Sequence, residues 1–252
     1  MRAALQLEAS AVVEAAQERE LAKANNSKLC NIFTLWEFSS RPPLFNVLAV
    51  ESWRRHAHGL CNEPVLINDL NVRMYIPDLP DEYFRLPYPA AKSDMIRYAV
   101  LYHHGGIYMD ADFIVTKDLD SVVQLVGDAD LVSYQAADSG SGPSFSSNFL
   151  GGRKKSPFHE AVWKKQKAAV SKHCPLADKT KETVCCFDGG EPCHIPWTQL
   201  GEGISHAVLA SHPEFSSRCY GGDQSFLPTG FLEALEKFNS EKSKALTYLE
   251  SH

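Results

Sequence analysis

The segment spanning residues 91–112 constrains the fold of this chain more than any other part of the sequence. Apolar residues recur there at helical spacing until Gly105 and Gly106, and glycine ends helices because it readily adopts the left-handed backbone conformation. The short apolar run at 107–109 follows at once and predicts a buried strand. The sequence therefore predicts a helix, a tight turn and a strand in immediate succession.

Two carboxylates stand at the end of this predicted strand. Side chains alternate along a strand, so Tyr108, Asp110 and Asp112 are expected on one side. Mg²⁺ and Mn²⁺ prefer oxygen ligands, in which one or two protein carboxylates combine with substrate phosphate oxygens. The pattern predicts a metal and diphosphate site. An Asp-x-Asp triplet alone would more often cap a turn; here the preceding helix, double glycine and strand favour the site.

The predicted helix brings further charge to the same place. Asp94 and Arg97 lie three residues apart and so share one helix face. With Asp110 and Asp112 they set four charge-capable side chains at one edge of an apolar framework. Nucleotides commonly bind at the strand ends of open α/β sheets. These four residues are therefore candidates for a nucleotide site.

The remaining pattern alternates between strand-like and helix-like segments. Strands are expected at 29–36, 64–67, 107–109 and 128–134, and helices from about 41 to 59 and at 90–104, 157–172, 204–210 and 231–249. Such alternation predicts an α/β fold with a mostly parallel central sheet flanked by helices.

Composition limits the domain organisation and the partners. A chain of 252 residues with 44% hydrophobic content is long enough for one well-buried domain and too short for two large ones. We expect an N-terminal helical extension over 1–27 and one catalytic domain over 28–252. The net charge of −6 argues against a nucleic-acid surface, which would need a basic stripe.

No apolar run is long enough to span a membrane, since that takes about 18 residues or more. The Ala- and Glu-rich opening segment is predicted to be an exposed helix rather than a signal peptide. It leaves open a peripheral attachment, or a stalk whose membrane anchor lies upstream.

Seven cysteines bear on the cellular compartment. Four of them, with several Gly and Pro residues, mark an insertion at about 173–197: Cys174, Cys185, Cys186 and Cys193. Such bunching predicts disulfides in an oxidising compartment, and Asn25 begins a glycosylation sequon. We expect the secretory pathway, and the Golgi lumen in a eukaryote. A zinc knuckle that uses His194 and a cytoplasmic location are the alternatives.

Three ungapped motifs carry a family resemblance: Ser93-Asp94-x-x-Arg97-Tyr98, Gly105-Gly106-Ile107-Tyr108-x-Asp110-x-Asp112 and Phe113-Ile114-Val115-x-Lys117-x-Leu119. Weaker flanking motifs include Leu35-Trp36 and Ser147-Asn148-Phe149-Leu150-Gly151-Gly152. With these residues the chain resembles the DXD-containing sugar-transferase family, which includes alpha-1,4-galactosyltransferases, yeast-type mannosyltransferases and the glucosyltransferase domains of clostridial toxins. The resemblance touches most of residues 28–210.

The resemblance implies a GT-A fold, which is Rossmann-like, and a retaining glycosyltransferase. It implies a nucleotide-sugar donor, expected to be a UDP-sugar, with Mn²⁺ or Mg²⁺ as the metal. The acceptor is expected to be a hydroxyl of a glycan, a glycolipid or a protein. The cysteine-rich insertion is the expected acceptor-side element.

The resemblance also implies roles for individual residues. Trp36 is expected to stack on the donor base, and Asp94 and Arg97 to bind ribose and sugar hydroxyls. Tyr108 lines the same pocket, and Asp110 contacts the sugar or ribose.

Metal and catalytic roles follow from the same resemblance. Asp112 is expected to ligate the metal directly, with Asp110 as the second acid of the metal site. Asn148 is assigned to the donor sugar, with Ser147 or Ser146 as alternatives if the register shifts by one or two residues. The expected catalytic residues are Asp110, Asp112 and Asn148.

Two other functions are compatible with parts of this pattern. A phosphatase of the haloacid-dehalogenase type also carries Asp-x-Asp after an apolar strand, where the first Asp is a nucleophile. That type expects Gly-Thr or Gly-Val after the triplet, whereas Phe113-Ile114-Val115 follows here. A non-catalytic protein that binds nucleotide-sugars without turnover is the second alternative.

Overall fold

The structure is a computed structural model that describes residues 30–38, 41–134, 145–173, 195 and 199–220 of the chain. Within it, the side chains of 218–220 are not described. The predicted N-terminal helix, the cysteines of the insertion and the predicted closing helix lie outside the described residues. The proposed domain boundaries therefore stay predictions.

The described strands are β1 (Ile32–Leu35), β2 (Val65–Ile67), β3 (Gly106–Met109), β4 (Leu131–Tyr134), β5 (Phe149–Gly152) and β6 (Ser217–Tyr220). The described helices are α1 (Leu44–His56), α2 (Val72–Tyr75), α3 (Pro89–His104), α4 (Asp120–Val126), α5 (Pro157–His173) and α6 (Glu202–Ser211), with a 3₁₀ helix at Asp81–Arg85. Helices α2 and α4 and strands β5 and β6 were not predicted.

The six strands form one sheet in the order β2-β1-β3-β5-β4-β6. Parallel pairs join β1 to β2, β1 to β3 and β4 to β6, whereas β5 is antiparallel to both β3 and β4. Five strands therefore run one way and β5 alone runs the other. The predicted α/β fold, with a mostly parallel sheet flanked by helices, is confirmed.

Alternation along β3 divides the core between the two sheet faces. Tyr108 belongs to the apolar cluster that includes side chains of α3 and α5. Ile107 and Met109 belong to the opposite cluster, which includes side chains of α1 and α4. All four residues of β3 are buried, as expected for a central strand covered on both faces.

The double glycine is required by the way α3 meets the sheet. Gly105 caps α3 with φ 69°, and Gly106 starts β3 with φ 106°. A Cβ added to Gly106 would lie 2.4 Å from the carbonyl oxygen of Asn31. Only glycine allows both this backbone conformation and this close approach of β3 to the residue before β1.

A disulfide joins Cys30, just before β1, to Cys61, just after α1, with their Cα atoms 4.3 Å apart. Backbone hydrogen bonds from Cys30 N to Leu60 O (3.1 Å) and from Asn62 N to Cys30 O (2.8 Å) flank it. The sequence analysis predicted disulfides only within the insertion, whose cysteines are not described. Among the described helices, none is long and apolar enough to cross a membrane.

We predict that Gly106→Ala lowers the free energy of unfolding by more than ~2 kcal/mol, because the added methyl group meets backbone atoms at a positive φ. Gly59→Ala is the matched control: its φ is 75°, but nothing lies within 4 Å of the added Cβ. It should cost about 1 kcal/mol. Urea denaturation measures both, and equal losses would contradict the close approach.

Candidate active site

A cavity of about 480 Å³ opens at the carboxyl ends of β1 and β3. This volume is in the range of clefts that hold small-molecule ligands. The residues that line it come from three elements and the loops beside them: Leu35, Glu37, Phe38, Pro89, Ala90, Ser93, Asp94, Arg97, Tyr108, Asp110, Ala111, Asp112 and Ser147. Five of the residues predicted for the site, from Asp94 to Asp112, therefore share one cavity.

The guanidinium of Arg97 lies at the back of this cavity with its side chain only 5% exposed. Its Nη2 lies 3.2 Å from Oδ1 of Asp94 and 3.2 Å from Oδ1 of Asp110. Its Nη1 donates to the carbonyl oxygen of Ser147 at 2.6 Å. The predicted shared face of Asp94 and Arg97 is confirmed, and a single buried cation connects α3 to the ends of β3 and β5.

Ser93 and Tyr108 complete the polar wall. The Ser93 hydroxyl is 2.8 Å from the Tyr108 hydroxyl and donates to Asp110 Oδ1 at 3.1 Å. The Arg97 guanidinium carbon lies 5.3 Å from the centre of the Tyr108 ring. Tyr108 and Asp110 therefore face the same side, as alternation predicted. Burial raises the pKa of the Tyr108 hydroxyl, which keeps it a neutral hydrogen-bonding group.

Helix α1 holds the turn that carries the acids. The Asn46 side chain donates to the carbonyl oxygen of Ala111 at 3.0 Å, and the Trp53 indole donates to that of Phe113 at 2.6 Å. Strand β3 ends at Met109, so a turn rather than the strand brings exposed Asp112 to the cavity. This turn is fixed on both sides of Asp112.

Asp94 lies against the start of α6. A Cβ added to Gly201, the residue that precedes α6, would lie 2.7 Å from the Asp94 carboxylate. Burial raises the pKa of Asp94 to about 6, although Arg97 opposes that shift. Asp110 and Glu202 add to it by repulsion. The environment thus holds Asp94 as a carboxylate at neutral pH only at a cost in stability.

Negative charge exceeds positive charge in this cavity. Asp94, Asp110 and Asp112 line it, whereas Arg97 is the one lysine or arginine among its described lining residues. Burial raises the pKa of Asp110, and the nearby Asp112 raises it further, while Arg97 opposes both. An added cation would relieve this repulsion.

The described residues hold no group of three or more His, Cys, Asp and Glu side chains arranged to bind a metal. A cation held here would take one or two carboxylates from the protein, and other oxygens would complete its shell. Mg²⁺ often binds in this way, through carboxylates together with substrate phosphates. The donor set of Asp110 and Asp112 fits such an ion.

In the segment that leads into β5, Ser147 rather than Asn148 is among the described residues that line the cavity. The Asn148 side chain accepts from the hydroxyls of Tyr134 (2.7 Å) and Ser146 (2.9 Å), and Asn148 is absent from the described cavity lining. Ser147, named as an alternative for one-residue slippage, lines the cavity. The catalytic role of Asn148 stays a prediction, and the geometry favours Ser147 as the residue that faces the cavity.

Sequence analysis missed Glu202, the first residue of α6. Its Oε1 accepts from the Ser147 N–H at 3.3 Å and the Ser147 hydroxyl at 3.4 Å. It thereby orients the residue whose carbonyl group pairs with Arg97. In the sequence, Glu202 stands between Gly201 and Gly203 just before the helix predicted at 204–210, and this placement alone assigns it no role.

The wall beyond β1 holds two other residues that the sequence analysis missed, Glu37 and Phe38. Trp36, predicted to stack on a base, is half-buried and packs against the apolar cluster beneath α1. Its ring centre lies 4.8 Å from that of Phe38 in an edge-on contact. Phe38 lines the cavity whereas Trp36 is not among its described lining residues, and base stacking by Trp36 stays a prediction.

Residues 46–126 match the family model described as "Glycosyltransferase sugar-binding region containing DXD motif". This segment includes α1, α3, β3 and both acids of the Asp-x-Asp triplet. The resemblance to DXD-containing glycosyltransferases is confirmed.

Two curated relatives match parts of the chain. One is an uncharacterized protein of Arabidopsis thaliana, 37% identical over 71 residues, which are 28% of this chain and 10% of that protein. The other is inositol phosphoceramide mannosyltransferase 3 of Schizosaccharomyces pombe, 35% identical over 101 residues, 38% of this chain and 26% of that protein. The matched parts thus span about a quarter or less of each relative.

Two solved structures are also similar. PaToxG glycosyltransferase has a TM-score of 0.49 at 16% identity, over 93% of this chain and 87% of that one. The glycosyltransferase GlyE of Streptococcus pneumoniae has a TM-score of 0.41 at 14% identity, over 85% of this chain and 50% of that one. These values are too low to add to the fold assignment, which follows from the strand order.

We predict that Asp94→Asn raises the free energy of unfolding at pH 7 by about 1–2 kcal/mol, because the folded protein no longer holds a buried carboxylate. The pKa of Asp94 is raised in the folded state, so the wild type loses stability as pH rises from about 4 to 6. The variant should lack that loss, and its advantage should vanish near pH 4. Denaturant titrations at both pH values measure this, with exposed Asp128→Asn as the control.

We predict that Trp36→Ala and Phe38→Ala each raise the KM for the ligand of this cavity about tenfold and leave kcat within about threefold. Stacking contacts of this kind contribute equally to ground and transition states. Trp36→Phe should restore most of the affinity. A loss of thermal stability with an unchanged KM in Trp36→Ala would show that Trp36 only packs.

Proposed function

We propose that this chain, whose residues 46–126 match the DXD-containing region of a glycosyltransferase family, is a metal-dependent, retaining hexosyltransferase with a GT-A fold. It transfers a sugar from a nucleotide-sugar, a UDP-sugar in this proposal, to a hydroxyl of a glycan, a glycolipid or a protein. The observation that carries the proposal is the cavity at the strand ends, where Asp94 and Asp110 pair with buried Arg97 and Asp112 lines the same cavity.

Glycosyl transfer requires a stabilised diphosphate leaving group, because the anomeric carbon loses its bond to oxygen early. In this proposal Asp112 and Asp110 hold Mn²⁺ or Mg²⁺, which supplies Lewis-acid neutralisation of the departing phosphate when bound. Asp112 is exposed and free to meet solvent and ligand. Asp110 is already hydrogen-bonded by Ser93 and Arg97, which fixes its carboxylate in one orientation.

The other residues of the cavity orient the donor. Asp94, a carboxylate above about pH 6, accepts hydrogen bonds from sugar or ribose hydroxyls. Tyr108 and Ser93 form a neutral wall beside it. Arg97 holds Asp94 and Asp110 in place and supplies the positive charge behind them. These groups are positioned before the donor arrives, which reduces the entropy lost on binding.

Retention follows if the acceptor hydroxyl attacks the anomeric carbon from the face that the diphosphate leaves. The new carbon–oxygen bond forms as the bond to the β-phosphate oxygen breaks, and the hydroxyl proton passes to that departing oxygen. The protein then needs no dedicated base, and its task is to hold donor and acceptor at the same face.

The acceptor and the compartment have separate support. The Schizosaccharomyces pombe relative is named as an inositol phosphoceramide mannosyltransferase, which favours a glycolipid among the three acceptor classes. The disulfide between Cys30 and Cys61 favours an oxidising compartment, since such bonds are rare in the cytosol. We therefore propose the secretory pathway, with the Golgi lumen as the site in a eukaryote.

The test is an assay of purified protein with UDP-galactose, UDP-glucose, UDP-N-acetylglucosamine and GDP-mannose, with Mn²⁺ or Mg²⁺, and of p-nitrophenyl phosphate as a phosphatase substrate. Release of nucleoside diphosphate, with sugar transferred to an acceptor such as a ceramide-linked lipid, supports the proposal. NMR of the product gives the anomeric configuration. Phosphate-monoester cleavage alone, or nucleotide-sugar binding without turnover, would contradict it.

We predict that Asp112→Asn reduces kcat/KM at least 100-fold and raises the metal concentration needed for half-maximal activity, because a neutral amide replaces an anionic ligand. Its melting temperature should stay near that of the wild type, since Asp112 is exposed. Asp118→Asn, whose carboxylate pairs with His56 and is 76% exposed, is the control and should keep full activity. Wild-type activity in Asp112→Asn would refute the metal assignment.

A further inference from the structure

Three charged side chains form a cluster in the wall of the candidate active site. The Lys92 ammonium lies 3.2 and 3.3 Å from the two carboxyl oxygens of Glu37 and 2.6 Å from Oδ2 of Asp69. The same ammonium lies 5.4 Å from the centre of the Tyr83 ring. The side chains of Lys92 and Glu37 are only 10% and 17% exposed, whereas that of Asp69 is 42% exposed. This is a partly buried network rather than a surface ion pair.

The cluster joins three elements at the carboxyl edge of the sheet. Glu37 follows β1, Asp69 follows β2, and Lys92 lies in the first turns of α3, next to Ser93. Glu37 itself lines the cavity. A change of charge in the cluster therefore acts inside the cavity and not at a distant surface.

The cluster contains two acids and one ammonium, so it is one proton short of being neutral. Burial raises the pKa of Glu37 to about 7, and a hydrogen bond to Asp69 stabilises the protonated form. Burial also acts to raise the pKa of Asp69, but hydrogen bonds from Glu37 and Lys92 outweigh it and lower that pKa. The exchangeable proton therefore resides on Glu37, and the net charge of the cluster changes from 0 to −1 as it leaves.

We propose that Glu37 sets the affinity of the cavity for its anionic donor, which binds well when the Glu37–Asp69–Lys92 cluster is neutral and poorly when loss of the Glu37 proton leaves the cluster with a net charge of −1. This inference rests on the proposed function, since it takes a sugar-linked diphosphate as the ligand. Glu37 acts through charge and hydrogen bonding on the wall, not on the reacting bond.

Electrostatic balance gives the direction of the effect. The cavity already holds Asp94, Asp110 and Asp112 against the single guanidinium of Arg97. The diphosphate of a nucleotide-sugar is a diester whose two negative charges do not change between pH 6 and 8. One further net negative charge in the cluster beside this cavity is expected to weaken binding about fivefold.

The position of Glu37 determines which kinetic constant changes. Phe38 follows it in the same wall and offers a flat aromatic surface, which suits a nucleobase rather than a sugar. Glu37 would therefore face the nucleoside half of the donor, which does not react. Its charge should change the free energies of the bound ground state and of the transition state by the same amount. KM should therefore change and kcat should not.

The charged and titratable groups that face Glu37 come from each neighbouring element. They are Lys92 from α3, Asp69 after β2, Tyr83 from the 3₁₀ helix beside Lys92, and Asp94, Arg97, Asp110 and Asp112 across the cavity. Asp94 also titrates, near pH 6. The effect of Asp94 titration on ligand affinity is common to the wild type and the variants below. A comparison of their affinities at each pH therefore isolates the effect of Glu37.

Glu37→Gln tests the proposal because the amide resembles the protonated carboxyl. It can donate to Asp69 and accept from Lys92 but cannot ionise. Binding of UDP-galactose and of GDP-mannose, each with Mg²⁺, would be followed by calorimetry from pH 6 to 8, with KM and kcat measured alongside. Asp69→Asn is the second variant, since Glu37 then pairs with Lys92 alone and the cluster stays neutral. Exposed Glu63→Gln is the control.

We expect the wild-type Kd to rise about fivefold between pH 6.5 and 8 and the Kd of both variants to stay flat at the low-pH value. Glu63→Gln should follow the wild type, and kcat should vary equally in all four proteins. A wild-type pH dependence that persists in both variants overturns the proposal, as does a fall in kcat without a change in KM. Failure of the wild type to bind either nucleotide-sugar at any pH would instead refute the proposed function, and this inference with it.

Discussion

The buried guanidinium of Arg97 is the interaction on which the rest of the site depends. A charge with a side chain 5% exposed is tolerated only if its hydrogen bonds and its charge are satisfied nearby. Asp94, Asp110, Ser93 and the carbonyl group of Ser147 satisfy it. These partners belong to α3, the end of β3 and the segment that leads into β5, so Arg97 fixes the relative positions of all three.

This arrangement carries a cost that a protein selected only for stability would avoid. One cation faces more acids than it can neutralise, and the pKa values of Asp94 and Asp110 are raised, mainly by burial and further by repulsion from neighbouring acids. Sites that bind charged ligands commonly keep such repulsion, since a stabilising ligand relieves it. The acid excess therefore favours binding of a cation over a purely structural role for these residues.

Local patterns predicted the parts of the fold that depend on neighbouring residues in sequence. The helix before Gly105, the strand after it and the shared face of Asp94 and Arg97 all follow from spacing within about 20 residues. Strand β5 was missed because it has two glycines and pairs with β3 and β4 only in the folded sheet. The pairing of Cys30 with Cys61 cannot be deduced from cysteine spacing either.

The residues of the candidate site likewise fall into those that a local motif predicts and those that only the fold brings together. The Asp-x-Asp acids stand in a recognisable motif, whereas Glu37 and Glu202 are single acids in otherwise ordinary segments. Glu37 gains its role only when β1, β2 and α3 bring it beside Asp69 and Lys92. Glu202 gains its role when α6 brings it beside Ser147. Such contacts join residues that are distant in sequence. Patterns within a single helix or strand cannot predict them.

Because β5 is antiparallel to β3, the residues that lead into β5 lie at the same edge of the sheet as the residues that follow β1 and β3. The two ends of the cavity are therefore chemically different. On one side of β3 lies β1, whose continuation supplies Glu37 and aromatic Phe38; on the other lies β5, entered through Ser147, which Glu202 holds. Asp110, at the end of β3, stands between them. A nucleotide-sugar has the same asymmetry, because a diphosphate separates a flat base from a polyhydroxyl sugar. Placing the base toward β1 and the sugar toward β5 matches aromatic surface to base and hydrogen-bonding groups to hydroxyls.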